Sequence, residues 1–337
     1  MIAPDRDTVE ALGLPTIRGL RVRRYRGPVD HDGMVAANNV WRLSIGVREL
    51  VTREGMDNLY AHLSGSIALE DCLVVEFDGE IAGYARVECQ VGHDGGMVYE
   101  PGVILHPRLG GRGVERALLR NGERRLRQKA GGRAPGPTDR FRMWLWDSDL
   151  ELKRVVIGEG YRPARHFFDM VRPDLEAIPA LAMPEGLEVR PVLPQHWRPI
   201  WEADVEAFRD HWGEVDEGEE AYQRFLGEPD LVPELWQVAW DGDQVAGHVL
   251  VAVHAQDNAR FGLRRGVLDS VAVRRPWRRR GLARGLIVRA LRALREHGET
   301  SASLGVDAQN PHQALHLYES CGFVVDTSGT AYEKPFA

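Results

Sequence analysis

The stretch Val271-Ala-Val-Arg-Arg-Pro-Trp-Arg-Arg-Arg-Gly-Leu-Ala283 has the residue types and spacing of a phosphate cradle. An apolar strand runs into a basic turn, and the turn opens into a helix whose first residues are small. Gly281 and Ala283 leave room for an anion against the backbone, and the leading N–H groups of a helix have no partner within it. Arg278, Arg279 and Arg280 add positive charge at the rim. A second stretch, Asn310-Pro-His-Gln-Ala-Leu-His-Leu-Tyr-Glu-Ser-Cys-Gly-Phe323, reads as a helix capped by Asn310, with Pro311 in its first turn and an end near Gly322. It carries the phenol of Tyr318 on the face of Ala314 and Leu315, where packing alone would also place a tyrosine. Asp269 stands two residues before Val271 and, by strand alternation, on the same face.

These groups need a strand, a turn and two helices to hold them, and the chain supplies that set twice. Leu20-Arg-Val-Arg-Arg24 resembles Leu187-Glu-Val-Arg-Pro191, and Phe77-Asp-Gly-Glu-Ile-Ala-Gly83 resembles Trp240-Asp-Gly-Asp-Gln-Val-Ala-Gly247. Leu105–Leu118 aligns without gaps to Val273–Leu286 at an offset of 168 (273 − 105), and Gly160-Tyr161 aligns with Gly322-Phe323 at 162 (322 − 160). Four anchors in one order at nearly one offset mean two copies of one fold. The proline-rich stretch 173–186 separates them, giving domains at 1–172 and 187–337. In the second copy, 187–192 is a short strand and 197–226 holds one or two helices. Residues 236–240 and 245–254 form a hairpin across Asp241-Gly242, and 267–273 is a central strand. The next helix places Leu282, Leu286, Ile287, Ala290, Leu291 and Leu294 on one stripe. A strand at 303–306 follows, and 323–335 closes the sheet.

The copies differ where chemistry would sit. In the gapless register Gly110 stands for Arg278, Glu115 for Ala283, Ser148 for Asn310 and Val156 for Tyr318. A carboxylate at 115 repels and crowds an anion. The frame Arg108-x-x-Gly111-x-Gly113 restores a glycine pattern only by breaking the register of the following helix. The first copy therefore reads as a degenerate partner and the second as the seat of chemistry.

At 337 residues with a net charge of −7, the chain has an ordinary globular composition in which basic residues are only locally concentrated. The arginine run 274–280 leads straight into a helix, so a nucleic-acid partner is not expected. Cys72, Cys89 and Cys321 are scattered, which argues against disulfides and structural zinc. No leader or membrane span is read, and a cytoplasmic enzyme, monomer or homodimer, is the expectation.

The two signatures together resemble those of the GNAT family of acyl-CoA-dependent N-acyltransferases. Arg278, Gly281 and Ala283 match its Arg/Gln-x-x-Gly-x-Gly/Ala loop, and Tyr318, Gly322 and Phe323 match its Tyr-x-x-x-Gly-Phe helix end. The resemblance covers residues 18–336. It implies an α/β (α+β) fold of two tandem GNAT domains, each a central mixed, mostly antiparallel sheet flanked by helices. It further implies acetyl-CoA or another acyl-CoA as cosubstrate, no metal, and direct attack by the primary amine of a small molecule in a ternary complex.

The resemblance also assigns roles. Backbone amides of Val271, Ala272 and Val273 hold the pantetheine arm, and one of them polarises the thioester carbonyl. Arg278, Arg279, Arg280, Gly281, Leu282 and Ala283 take the pyrophosphate, with Asn310 near the cofactor arm. The strand at 303–306 splays away to admit the donor. Tyr318 is the acid for the departing thiolate, since a phenol of pKa about 10 stays protonated at neutral pH. Asp269 is the candidate base and would need burial or a relaying water. His248 and His254 are further candidates, while Val267, another base position in the family, is apolar. The acceptor side falls to 197–226, including Phe208–Gly213 and the acidic run Glu214–Glu220, which also reads as an ordinary solvated surface. An acyl-CoA-binding regulator without turnover is the alternative reading.

Overall fold

The computed structural model describes residues 9, 13–209, 211–213, 215–310 and 314–336. In chain order the elements are β1 (Leu20–Arg24), α1 (His31–Ser44), α2 (Arg53–Ala61), α3 (Ala68–Asp71), β2 (Cys72–Phe77), β3 (Glu80–Val91), β4 (Met97–Leu105), α4 (Val114–Lys129), β5 (Arg140–Trp146), α5 (Leu150–Gly158) and β6 (Arg162–Arg172). There follow β7 (Glu188–Arg190), α6 (Trp197–Phe208), α7 (Glu219–Leu226), β8 (Gln237–Asp241), β9 (Gln244–Ala252), α8 (Ala255–Phe261), β10 (Arg265–Val273), α9 (Leu282–His297), β11 (Ser301–Asp307), α10 (Ala314–Ser320) and β12 (Val324–Pro335). The first turn expected at Pro311 lies outside the described residues, as do Asp210 and Glu214 of the acceptor-side stretch. The sequence reading gave no element to 255–261, where α8 forms.

The chain divides into two compact units. The first is Met1–Ala164 with Gly329–Ala337, and the second is Arg165–Ser328. Strands follow the order β1-β2-β3-β4-β5-β12 in the first and β6-β11-β10-β9-β8-β7 in the second. Each sheet is mixed and mostly antiparallel, with a parallel pair at β4/β5 and at β10/β11. In the second unit α6 and α9 both pack on β9 and β10. Residues 245–252 of β9 are accordingly buried throughout, as a strand covered on both faces must be. The stripe read on α9 is buried at all six positions.

The units are not the two consecutive copies that the repeat implied. Cutting at 172 and 187 misassigns the sixth strand of each sheet. Gly329–Pro335 of β12 runs antiparallel to β5, and residues 167–172 of β6 run antiparallel to β11. Each sheet is thus closed by the other copy's last strand, and the stretch 323–335 does not close the second sheet alone. Side-chain chemistry fixes this exchange. In the first unit Glu333 meets Arg140 at 2.9 Å and Arg142 at 2.8 Å, and the Phe336 ring stacks on Tyr99 at 4.0 Å. In the second unit Arg165 pairs with Asp307 at 2.7 Å, and Met170 is fully buried in the core.

Candidate active site

The second unit opens a fork at its centre. β10 and β11 pair in parallel from Arg265/Ser301 to Val267/Ser303, and no ladder joins them beyond that point. β10 continues on β9 as far as Val273/Gly247, while β11 turns its other edge to β6 as far as Asp307/Phe167. The separation places the main chain of Val271, Ala272 and Val273 on one arm, as the expected splay requires.

The turn that leaves β10 is held rigidly. A short 3-10 turn, Arg275–Trp277, buries the Trp277 ring, whose Nε1 donates to Asp241 Oδ2 at 2.9 Å. Arg274 pairs with Glu206 at 2.7 Å and donates to the Val245 carbonyl at 3.0 Å. Arg278, expected at the rim, instead donates from Nε to the Val273 carbonyl at 2.8 Å and from Nη2 to the Ala207 carbonyl at 3.3 Å. It braces the turn, while Arg275, Arg279 and Arg280 are exposed. Arg279 sits at φ 62°, a left-handed conformation that costs a non-glycine residue about 1–3 kcal/mol. Gly281 follows at φ 79° as the N-cap of α9, with no side-chain cap and open space where a Cβ would stand. The leading N–H groups of α9 therefore have no side-chain cap behind two left-handed residues, and the helix dipole adds to their pull on an anion.

Tyr318 lies on α10, which packs on β11. The helix end explains the Tyr-x-x-x-Gly-Phe spacing. Phe323 N–H donates to the Tyr318 carbonyl at 3.1 Å, Gly322 N–H to Glu319 at 2.9 Å, and Gly322 is left-handed at φ 84°. This is a Schellman cap, and the Tyr318 and Phe323 rings meet edge-on at 6.2 Å. Burial, with Cys321 adding to it, pushes the phenol above its usual pKa, so it is protonated across the neutral range. Asn310 is half-buried and donates its N–H to the Asp307 carbonyl at 3.1 Å.

Asp269 occupies a β-bulge. Leu268 pairs with Val251 and Ser270 with Leu250, so the register slips around it and the alternation used to align it with Val271 is interrupted. Its side chain is exposed. Desolvation, with the carboxylates of Asp269 and Asp230, raises the Glu228 carboxyl, and His254 works against that rise. On the acceptor side, Glu217 is paired with Arg209 at 2.6 Å and Glu219 with Arg198 at 2.6 Å, which leaves much of the acidic run neutralised.

The sequence reading named His248 as a further candidate base but missed the partners that surround it beside this strand. His248 on β9 stands opposite Ala272 and is 1% exposed. Its Nε2 meets Asp204 Oδ1 on α6 at 2.9 Å, and the Ser270 hydroxyl donates to the same oxygen at 2.5 Å. The Nδ1 of His248 is buried with no hydrogen-bond partner among the described residues. A histidine within an apolar strand was the available signal, but Asp204 lies 44 residues away and carried none.

The first unit repeats the turn with different side chains. Helices α4 and α9 are both 16 residues long, and Gly113 caps α4 at φ 87° as Gly281 caps α9. Gly111, at φ 69°, takes the place of Arg279. Glu115 folds back on this turn, and its Oε1 accepts the Gly111 N–H at 3.1 Å. The carboxyl is buried, and that burial raises its pKa, while its own amide and that of Gly111 oppose the rise. The end of α5 keeps the Schellman cap, with Tyr161 N–H donating to Val156 at 3.2 Å and Gly160 at φ 93°, but Val156 stands where Tyr318 does.

The second unit holds a strand fork, a helix start without a side-chain cap and a buried phenol, and comparison with known proteins gives the family. Residues 197–323 match the acetyltransferase (GNAT) family. The chain is 29% identical to a mycothiol acetyltransferase of Thermobispora bispora over 94% of its own length and 99% of that protein's. It is 30% identical to one of Nocardiopsis dassonvillei over 77% of its length and 80% of that protein's. The chain belongs to the GNAT family of N-acetyltransferases. In fold it is similar to a GCN5-related N-acetyltransferase from Sphaerobacter thermophilus, with a TM-score of 0.68, 24% identity, and 96% and 97% of the two chains covered. It is also similar to a tandem GNAT protein from the clavulanic acid biosynthesis pathway, with a TM-score of 0.67, 14% identity, and 94% and 99% covered.

Proposed function

We propose that the second unit transfers the acetyl group of acetyl-CoA to the primary amine of a small molecule, by direct attack in a ternary complex. The observation that carries this reading is the uncapped start of α9 behind left-handed Arg279 and Gly281, at the mouth of the β10/β11 fork. Amides of Gly281, Leu282 and Ala283 take the pyrophosphate, and the charges of Arg279 and Arg280 add to the pull, while Arg278 holds the turn in shape. The pantetheine arm runs along Val271, Ala272 and Val273, past Asn310. The amine nitrogen attacks the thioester carbonyl, whose developing oxyanion is held by a strand amide. The carbon–sulfur bond then breaks and the thiolate takes the Tyr318 proton. Asp269, reached through water, accepts the proton that the nitrogen sheds.

The similarity to mycothiol acetyltransferases puts their acceptor at the head of the amine panel. Calorimetry with acetyl-CoA, followed by thiol release across that panel, tests the reading. One donor per chain and amine-dependent thiol release are expected. Donor binding without release for any amine would favour a non-catalytic acyl-CoA-binding protein.

A further inference from the structure

The first unit keeps a fork although its cradle is filled. β4 and β5 pair in parallel only at Val98/Arg140 and Tyr99/Phe141, and beyond that they part around a cavity of about 280 Å³. Beyond the ladder the facing edges of β4 and β5 leave room for a ligand between them. The cavity walls are not those of a channel for a flexible thiol arm. Trp41, Tyr60, Tyr84 and Trp144 line it with aromatic rings, and the Arg86 guanidinium lies over the Tyr60 ring at 5.5 Å. Gly102, opposite Arg86 in the ladder, leaves the wall between them without a side chain.

The charge on that wall is only partly committed. Arg86 Nη2 donates to Glu88 at 3.0 Å, but its Nη1 is buried with no hydrogen-bond partner among the described residues. Glu100, also on the wall, accepts from Gln90 at 3.2 Å, and Arg142 is held by Glu333 at 2.8 Å. A buried guanidinium nitrogen without a partner is expensive, and a small turn of its planar head would meet an acceptor brought in by a ligand. At about 280 Å³ the space lies just under the range that holds drug-sized molecules, so the ligand is small.

We propose that the first unit binds a small aromatic carboxylate in the β4/β5 fork, its ring among Trp41, Tyr60, Tyr84 and Trp144 and its carboxylate on Arg86. The site is separate from acetyl transfer, because Glu115 already occupies the turn that a coenzyme pyrophosphate would need.

Ligand-observed NMR and calorimetry on the full chain, with 3-phenylpropionate and its neutral amide as probes, test this. The acid should bind about tenfold or more tightly than the amide, the size expected of a charged hydrogen bond. In Arg86→Met the two should bind alike, while Arg86→Lys keeps a preference for the acid. Ile104→Trp, which fills the fork from β4, should abolish binding of both. Saturating acetyl-CoA should displace neither probe. Equal affinity of acid and amide in the unaltered protein, displacement by acetyl-CoA, or no binding of either at millimolar concentration would each overturn the proposal.

Discussion

Two turns of the same length, each leading into a helix of 16 residues with a left-handed glycine cap, face opposite electrostatic futures. In the second unit the start of α9 has no side-chain cap. In the first, a glutamate at the second position of the helix bends back onto the turn and accepts the Gly111 N–H. The backbone turn is shared, and in the first unit a single side chain stands where the second unit's proposed ligand would lie. The helix ends at α5 and α10 repeat the lesson, since both keep the Schellman cap and only one of them holds a phenol. A scaffold persists because its hydrogen bonds are local, whereas a site needs particular atoms and is lost one residue at a time.

The comparison is broken most severely at the phenol. Tyr318→Phe removes the proposed acid and keeps the ring that packs on Phe323. We expect kcat to fall by about 10²–10⁴, the usual contribution of a general acid. Acetyl-CoA affinity measured by calorimetry should stay unchanged. If kcat is retained with an acceptor whose turnover is limited by thiolate departure, Tyr318 is only core. The next largest effect moves the plug across. Ala283→Glu gives the second turn the side chain of the first, and acetyl-CoA affinity should fall by about 10² or more, because like charges brought together cost several kcal/mol. Circular dichroism should show the fold unaltered. Undiminished affinity would mean that the donor's diphosphate does not lie on this turn.

Much of this was legible because the repeat has no gaps where it matters. An offset of 168 carries Gly113 onto Gly281 and Glu115 onto Ala283, and the structure keeps that register through both helices. The buried stripe of α9 was legible for the same kind of reason, since period and burial are tied. The strand exchange was not. β6 and β12 are strands of similar pattern, and nothing local says which β-edge each will join; ion pairs such as Arg165–Asp307 and Arg140–Glu333 decide it across 142 and 193 residues. Nor could alternation place Asp269, because a bulge adds a residue without leaving a mark in composition. The roles of Arg278 and Asp204 were hidden too. A guanidinium can bind phosphate or backbone carbonyls, and only the fold chooses.

A finer contrast lies one residue before the caps, where Arg279 holds the left-handed conformation that Gly111 adopts without strain. Arg279→Gly should stabilise the second unit by about 1 kcal/mol in denaturant unfolding. It should also weaken acetyl-CoA binding several-fold through the lost charge, roughly one exposed phosphate contact. Stabilisation with no loss of affinity would show that the arginine is tolerated there without serving the donor.

The smallest effect concerns the plug itself. Burial raises the Glu115 carboxyl above its unfolded value, so the folded protein binds the proton more tightly than the unfolded chain does. Stability contributed by the protonated form is complete below the unfolded pKa and is lost as pH rises through the raised folded value. Glu115→Gln cannot ionise and escapes that loss. Unfolding free energies of the two proteins should therefore run parallel at acid pH and separate in favour of the glutamine variant towards neutrality, by an amount of about 1 kcal/mol, the ordinary size for one substitution. Glu151 and Asp149, whose charges add to the rise, would reduce the separation if they were neutralised. A gap that shrinks as pH rises would mean that the two amide hydrogen bonds outweigh burial, and that the first unit's turn stabilises a carboxylate much as the second unit's turn is proposed to stabilise a phosphate.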